Sequence, residues 1–281
     1  MIEVIQAGQY TTIQDLGRFG YRAMGVPISG PMDRYSSRLA NELLGNDANT
    51  PIMEMTLTGA TLLFLEATTI TITGAKCLVY NGTKTIENNQ EIRIEANTQL
   101  KFGAITSGNF IYLAVRGGFI SDNVLGSVSY SKGITDEIRI QKGQLLAFNK
   151  SERHVVSRGA KFKAAELKTN NIIQVEKGPE HHLLSDAVKQ SLIESFFSIS
   201  LQSNRMGYRL EGDHDLEANE IITSPVQPGT VQLTPSGQLV VLMRDAQTTG
   251  GYSRIFQLTP KSINQLAQTR FGEHFKFQLT D

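Results

Sequence analysis

The sequence predicts a mainly β protein made of two β domains with a few short capping helices. Three observations carry this. Short apolar, β-branched runs recur at roughly 8–12 residue spacing, with glycine or asparagine between them. Only three stretches carry helix start and stop signals. The apolar periodicity breaks between residues 150 and 171, where Lys161, Lys163, Glu166 and Lys168 intrude, and the pattern Arg-x-Gly-Tyr-Arg stands once on each side, at 18–22 and 205–209. A chain of 281 residues can be one large β domain or two ordinary ones. The break and the echo favour two, spanning 1–160 and 161–281, with an approximate boundary and termini that can cross over.

The elements follow in order. Residues 2–6 are apolar and β-branched, and 10–14 form a short polar strand. Residues 53–57 and 61–65 flank Thr58-Gly59-Ala60, which reads as a hairpin turn. Residues 69–73 alternate Thr and Ile, the period of a half-buried strand. Residues 78–80 lead into Asn81-Gly82, read as a type I′ turn. Strand runs continue at 92–94, 99–102 and 110–115, and again from 172 to 175. Among helices, 33–44 has Asp33 as N-cap and Gly45-Asn46 as its stop. A second begins within 180–187, after Gly178-Pro179. The third, 260–268, has Thr259 as N-cap and Pro260 at its first position.

Residues 10–46 concentrate the conformational constraints. Gly17, Gly20, Gly25, Pro27 and Pro31 restrict the backbone that carries Arg18 and Arg22 and delivers Asp33 to a helix start. Arginines on a constrained loop beside a helix N-terminus suit a small anion. With Arg205, Arg209 and Arg244 they form a set of fixed positive charges, accompanied by Asn204, Gln247, Thr248 and Thr249 as neutral hydrogen-bonding groups. Such a set suits a small carboxylated amide or lactam: arginine grips the carboxylate, and amides and hydroxyls read the rest. Tyr21, Tyr208 and Tyr252 can close a pocket. The competing reading pairs some arginines with Asp15, Asp33, Glu211 or Asp245. Asp245, at a strand end beside Gly250-Gly251, is placed to act as a base or to orient one. Asp33 is the alternative carboxylate, though its N-cap role comes first. Thr248-Thr249-Gly250-Gly251 offers backbone N–H groups for an oxyanion, and Gly117-Gly118 is either a second such loop or only a tight turn.

Three blocks carry a family resemblance: TTIQDLGRFGY with GVPISGPMD and LANELLGN; SNRMGYRLEG at 203–212; and DAQTTGGY at 245–252. They occur in family order, and the similarity spans nearly the whole chain. The sequence resembles the allophanate hydrolase subunit 2 (KipA) family, which includes the C subunit of 5-oxoprolinase and part of the urea carboxylase carboxyltransferase domain. The resemblance implies two cyclophilin-like β-barrels and a role as the C subunit of an ATP-dependent 5-oxoprolinase that opens 5-oxoproline to glutamate. It implies the A and B subunits of 5-oxoprolinase, a KipI-like protein among them, as partners. ATP is then used by the complex, and a partner chain is where its site is expected. Within that reading Asp245 and Arg205 are the catalytic candidates. Arg18, Tyr21, Asn204, Arg209, Gln247, Thr248 and Thr249 are the substrate-binding candidates. Two alternatives remain open: the carboxyltransferase component of a biotin-dependent, urea-type carboxylase, with a biotin carrier as partner, and a non-enzymatic antagonist of a kinase-inhibitor protein.

Other features narrow the field. Twenty-seven basic residues balance 27 acidic ones, which gives no reason to expect nucleic acid or an anionic membrane as partner. The first ten residues lack a signal-peptide pattern and no apolar run reaches the ~18 residues of a membrane span, so a cytoplasmic location is expected. Cys77, the single cysteine, sits in an apolar run and reads as a buried structural thiol. There is no G-x-x-x-x-G-K-[ST], G-x-G-x-x-G, G-x-S-x-G or Met-Lys-Met. His181-His182 and Asp213-His214-Asp215 lack metal-site spacing, so no metal is expected.

Overall fold

The computed structural model describes residues 1–150, 171–212, 216 and 220–280. The 150–171 break and the Asp213-His214-Asp215 triplet lie largely or wholly outside these residues. The chain forms two compact units. One comprises Met1–Arg18 and Ser29–Leu167, the other Phe19–Ile28 and Lys168–Asp281. The chain thus leaves the first unit immediately after Arg18, contributes ten residues to the second, and returns at Ser29.

The first unit is one curled antiparallel sheet. Its strands are β1 (Ile2–Gln6), β2 (Tyr10–Gln14), β3 (Ile52–Thr56), β4 (Thr61–Phe64), β5 (Thr68–Asn81), β6 (Lys84–Ile86), β7 (Ile92–Ile94), β8 (Thr98–Val115) and β9 (Leu145–Leu146). The main order is β2-β3-β8-β4-β1-β9, with β5 also along β8. The residues at 58–60 therefore do not join a hairpin. β8, 18 residues long, lies between β3 and β4 and pairs with both. The Asn81 turn also differs from its expected form. Asn81 pairs with Lys84, so Gly82 and Thr83 are the central residues. Gly82 alone has positive φ (60°), which fits type II′ rather than I′.

Alternation along these strands points Ile2, Val4, Leu62, Phe64, Ile70, Ile72, Leu113 and Val115 inward to a common core. The helix α1 (Arg34–Leu43) covers part of β5. Asp33 caps it, its carboxylate accepting the Tyr35 and Ser36 N–H groups at 3.0 and 3.1 Å. Gly45 (φ 68°) ends it in the left-handed conformation. Asn46 then donates to the Asn41 side chain and the Val115 carbonyl and accepts the Gly117 N–H. This accounts for the Gly117-Gly118 turn: its amides serve the fold, with Gly118 N–H on the Val115 carbonyl. Beneath α1, Glu54 accepts the Tyr112 hydroxyl at 2.8 Å and the Met32 N–H at 2.7 Å. Burial, reinforced by Glu54 and Asp33, pushes the Tyr112 phenol well above its ordinary range.

The second unit is again mainly β. Its strands are β10 (Ile172–Lys177), β11 (Ser198–Ile199), β12 (Gly207–Glu211), β13 (Glu220–Pro225), β14 (Thr230–Leu233), β15 (Leu239–Leu242), β16 (Thr249–Leu258) and β17 (Lys276–Leu279). Their order is β11-β12-β15-β14-β16-β10-β17, with β13 on β16. The helix expected within 180–187 is a 3-10 turn at His181–Leu183 followed by α2 (Asp186–Glu194), capped by Ser185. α3 (Pro260–Gln268) has its expected Thr259 cap and Pro at the first turn. Phe197, Phe256, Phe275 and Phe277 form the aromatic centre, with ring centroids 5.1–6.3 Å apart. Two curled sheets with few helices match the expected pair of cyclophilin-like barrels. Among the described residues, no helix is long and apolar enough to cross a membrane.

Candidate functional site

Two of the sequence blocks meet in the second unit. Residues 203–206 form the turn leading into β12, and 243–246 form the turn leaving β15. Because β12 and β15 pair antiparallel, Gly207 opposite Leu242, these turns lie side by side. Backbone bonds continue the ladder: Met243 N–H reaches the Met206 carbonyl, and Asp245 N–H the Arg205 carbonyl, each at 2.9 Å.

The side chains close the same contact. Arg205 Nε donates to Asp245 Oδ2 at 2.8 Å, and Nη2 to Oδ1 at 3.2 Å. Their side chains are only 9% and 13% exposed, so this two-point pair is largely removed from water. Of the two sequence readings for these residues, the structure shows pairing. Asp245 is held by a guanidinium on both oxygens, an arrangement suited to orienting Arg205.

The other expected residues divide by unit. Arg18 belongs to the first, where it is fully buried. Its Nε donates to the Val124 carbonyl at 3.2 Å, and its Nη2 donates to the Ser129 carbonyl. Asp15 works beside it, accepting Ser127 and Ser129 hydroxyls and the Gly17 and Val128 N–H groups. Both secure the 124–129 segment.

Tyr21 and Arg22 belong to the second unit. The Tyr21 carbonyl accepts the Met24 and Val26 N–H groups, turning the chain at the short 3-10 segment Arg22–Met24. Arg22 Nη2 donates to the Val226 carbonyl, while Val226 N–H donates to the Thr248 carbonyl at 3.0 Å. Arg22 is thereby linked through one residue to the 245–252 block. Asn204 is exposed, and its Oδ1 accepts the Met206 N–H at 2.8 Å, fixing the turn that presents Arg205. Arg209 is exposed on β12, with a 3.4 Å contact to Gln238 Oε1. Arg244 is buried and donates to Asn264 Oδ1 at 2.9 Å.

Gln247 is exposed and Thr248 half-buried in the loop before β16. Thr249, Gly250 and Gly251 lie within the strand rather than in an N–H-lined loop. Thr249 pairs with Pro225 and Gly250 with Ser224. An ordinary extended backbone explains why neither Gly250 nor Gly251 has positive φ. The reason for Gly250 is space: a Cβ there would meet Gln232 Nε2 at 2.6 Å. Gln232 is 1% exposed, and among the described residues its Nε2 has no hydrogen-bond partner.

Sequence reasoning missed Arg254 and Glu180. Arg254 Nε and Nη2 donate to the two Glu180 oxygens at 2.8 and 2.6 Å, Arg254 N–H adds a bond at 2.9 Å, and Nη1 reaches the Pro225 carbonyl at 3.0 Å. The Arg254 hydrogen bonds hold the Glu180 carboxyl below its ordinary 4.5. The pair braces β16 and the neighbouring β13 end just beyond the 245–252 block. Its one sequence signal was an arginine two residues after Tyr252. Among the described residues, no three His, Cys, Asp or Glu side chains gather as a metal centre requires.

Comparison with known proteins gives this geometry a family. The chain is 36% identical over 284 residues to the C subunit of 5-oxoprolinase from Escherichia coli, covering 99% of this chain and 90% of that protein. The solved structure of TTHA0988 superposes with a TM-score of 0.89 at 27% identity, over 99% of this chain and 55% of that one. Kluyveromyces lactis urea carboxylase superposes with a TM-score of 0.85 at 28% identity, over 98% of this chain and 27% of that one. The chain thus spans about half or less of the solved chains it matches. The model of the carboxyltransferase domain, subdomains A and B, matches residues 24–279. With that match covering most of its length, the chain belongs to the carboxyltransferase domain family.

Proposed function

We propose that this protein is the C subunit of an ATP-dependent 5-oxoprolinase complex, in which 5-oxoproline is opened to glutamate. The observation that carries the reading is the end-to-end similarity to the E. coli subunit of that name. The second unit supplies groups suited to such a substrate. 5-Oxoproline is a small lactam with one carboxylate. Arg209 stands exposed on β12 with its guanidinium towards Gln238, the desolvated Arg205–Asp245 pair lies at the other end of the β12–β15 pairing, and Asn204 and Gln247 present amides from the turns on the pair's side.

In this reading Arg209 attracts the substrate carboxylate. Asp245 holds Arg205 in a fixed orientation, and the Arg205 charge favours developing negative charge on the lactam oxygen. Thr248, Thr249, Gln247 and Tyr21 supply hydroxyl and amide contacts from the same unit, and Arg18 supports the turn from which residues 19–28 depart. The A and B subunits are the proposed partners, with nucleotide held by a partner chain, and the complex works in the cytoplasm. The test is ATP-dependent glutamate release from 5-oxoproline by this chain alone, by its candidate partners alone, and by the mixture. Activity only in the full mixture supports the reading. No activity in a mixture that demonstrably assembles overturns it.

A second reading rests on the urea carboxylase superposition. The same amide-reading groups would then face the ureido ring of carboxybiotin. Retention of a biotinylated carrier protein on the immobilised chain supports it.

A further inference from the structure

The first unit carries a cleft of its own. About 580 Å3 lies between α1 and the middle of β5 and β8, bounded by the 86–89 segment. That volume lies within the range of small-molecule pockets. The lining is mostly apolar, with Leu39, Leu78 and Ile86 among its surfaces, and two opposite charges, Lys76 and Glu87, line it as well.

The backbone explains why both charges face one cleft. Gly74 has φ 84°, and the β5–β8 register shifts on either side of Lys76. The irregularity coincides with Lys76, whose side chain is exposed. The returning segment is then tied to β5. Asn88 Nδ2 donates to the Ala75 carbonyl at 3.2 Å, and Asn89 N–H to the Ile72 carbonyl at 2.8 Å. Asn89 itself sits at φ 61°, a conformation that asparagine tolerates better than most residues. These bonds hold Glu87 beside the strand that carries Lys76. Yet the two side chains do not bridge each other, and among the described residues neither has another ion-pair partner.

An uncancelled cation and anion around an apolar floor match a ligand with both charges and an apolar body. We propose that this cleft binds a free α-amino acid with an apolar side chain. Its carboxylate sits at Lys76, its ammonium group at Glu87, and its side chain lies against Leu39, Leu78 and Ile86. Cys77 also lines the cleft, but burial raises its thiol to about 11, so it contributes packing rather than a thiolate. This inference concerns the first unit alone and does not depend on the 5-oxoprolinase reading.

The test titrates the full chain with L-leucine by calorimetry. Two analogues that each lack one charge, 4-methylpentanoate and 3-methylbutylamine, serve as comparators. Leucine is expected to bind saturably, and each analogue at least about tenfold more weakly. Lys76→Ala and Glu87→Ala should each weaken leucine about tenfold. Lys76→Ala should also erase the advantage of leucine over the amine, and Glu87→Ala its advantage over the carboxylate. Both side chains are exposed, so melting temperatures should stay near that of the parent. Lys76→Gln and Glu87→Gln repeat the test with side-chain bulk retained. Absence of saturable leucine binding overturns the proposal. So does binding that none of the four substitutions weakens, or an analogue that binds as tightly as leucine.

Discussion

Arg205 and Asp245, 40 residues apart in sequence, form a two-point ion pair at 2.8 and 3.2 Å that joins the turn before β12 to the turn after β15. Both side chains are largely buried. Removing one leaves the other desolvated without its counter-charge, which costs more than the pair itself contributes. Asp245→Ala and Arg205→Ala should each lower stability by about 3 kcal/mol. The double variant should lose clearly less than the sum, because the uncompensated charge is gone. Urea unfolding of the four proteins checks this. Strict additivity would show that the pair is energetically idle.

Gly250 and Gly251 provide a matched comparison. Both are in β16, and neither needs a left-handed backbone. A Cβ at Gly250 meets the buried Gln232 amide at 2.6 Å, whereas at Gly251 the nearest atom is 3.5 Å away. Gly250→Ala should be less stable than Gly251→Ala, because the far end of the buried Gln232 side chain must shift to admit the methyl group. Gly251→Ala should be neutral or slightly stabilising, since alanine reduces unfolded-state entropy. Thermal melts of the two variants read the difference, and a Gly250→Ala protein as stable as the parent would remove the steric account of that glycine.

Glu180 has its carboxyl held below 4.5 by Arg254. A depressed folded-state value means that the unfolded chain takes up a proton first. The contribution is therefore present above 4.5 and is lost as pH falls through the folded-state value. Glu180→Gln should melt below the parent at neutral pH, and the gap should narrow as the solution is acidified past the ordinary glutamate range. A gap that stays constant through that acidification would contradict the linkage.

Much of this architecture was legible because it is set locally. Asp33 and Thr259 announced their helices, since a side-chain oxygen must meet the first free N–H groups. What failed was strand partnership. Period-2 alternation shows that 53–57 and 61–65 are strands but not that β8 inserts between them. β8 itself reads as two pieces, because Gly103 and Gly108 interrupt an otherwise continuous 18-residue strand. At the candidate site, residue types were readable but their mutual occupancy was not. Arg18 and Arg22 look equivalent in Arg-Phe-Gly-Tyr-Arg, yet the boundary between the units falls directly after Arg18. Glu180 and Arg254 bear no motif, and only the fold brings them together.

Arg209 gives the most direct separation of folding from function. It is exposed, and its guanidinium makes a 3.4 Å approach to Gln238. Deleting it should leave stability within about 0.5 kcal/mol of the parent. Arg205 and Arg244, by contrast, are buried and engaged by Asp245 and Asn264, so a loss on changing them would mix structural and functional effects. If Arg209 attracts the substrate carboxylate, Arg209→Ala in the assembled complex should raise KM for 5-oxoproline about tenfold or more. Arg209→Lys should recover part of that loss, because a lysine keeps the charge while giving up the two-point grip. Steady-state kinetics beside a urea melt on the same preparations decides the matter. An Arg209→Ala complex with parental KM and kcat would remove this residue from the substrate site and leave positive charge there to Arg22 and Arg205.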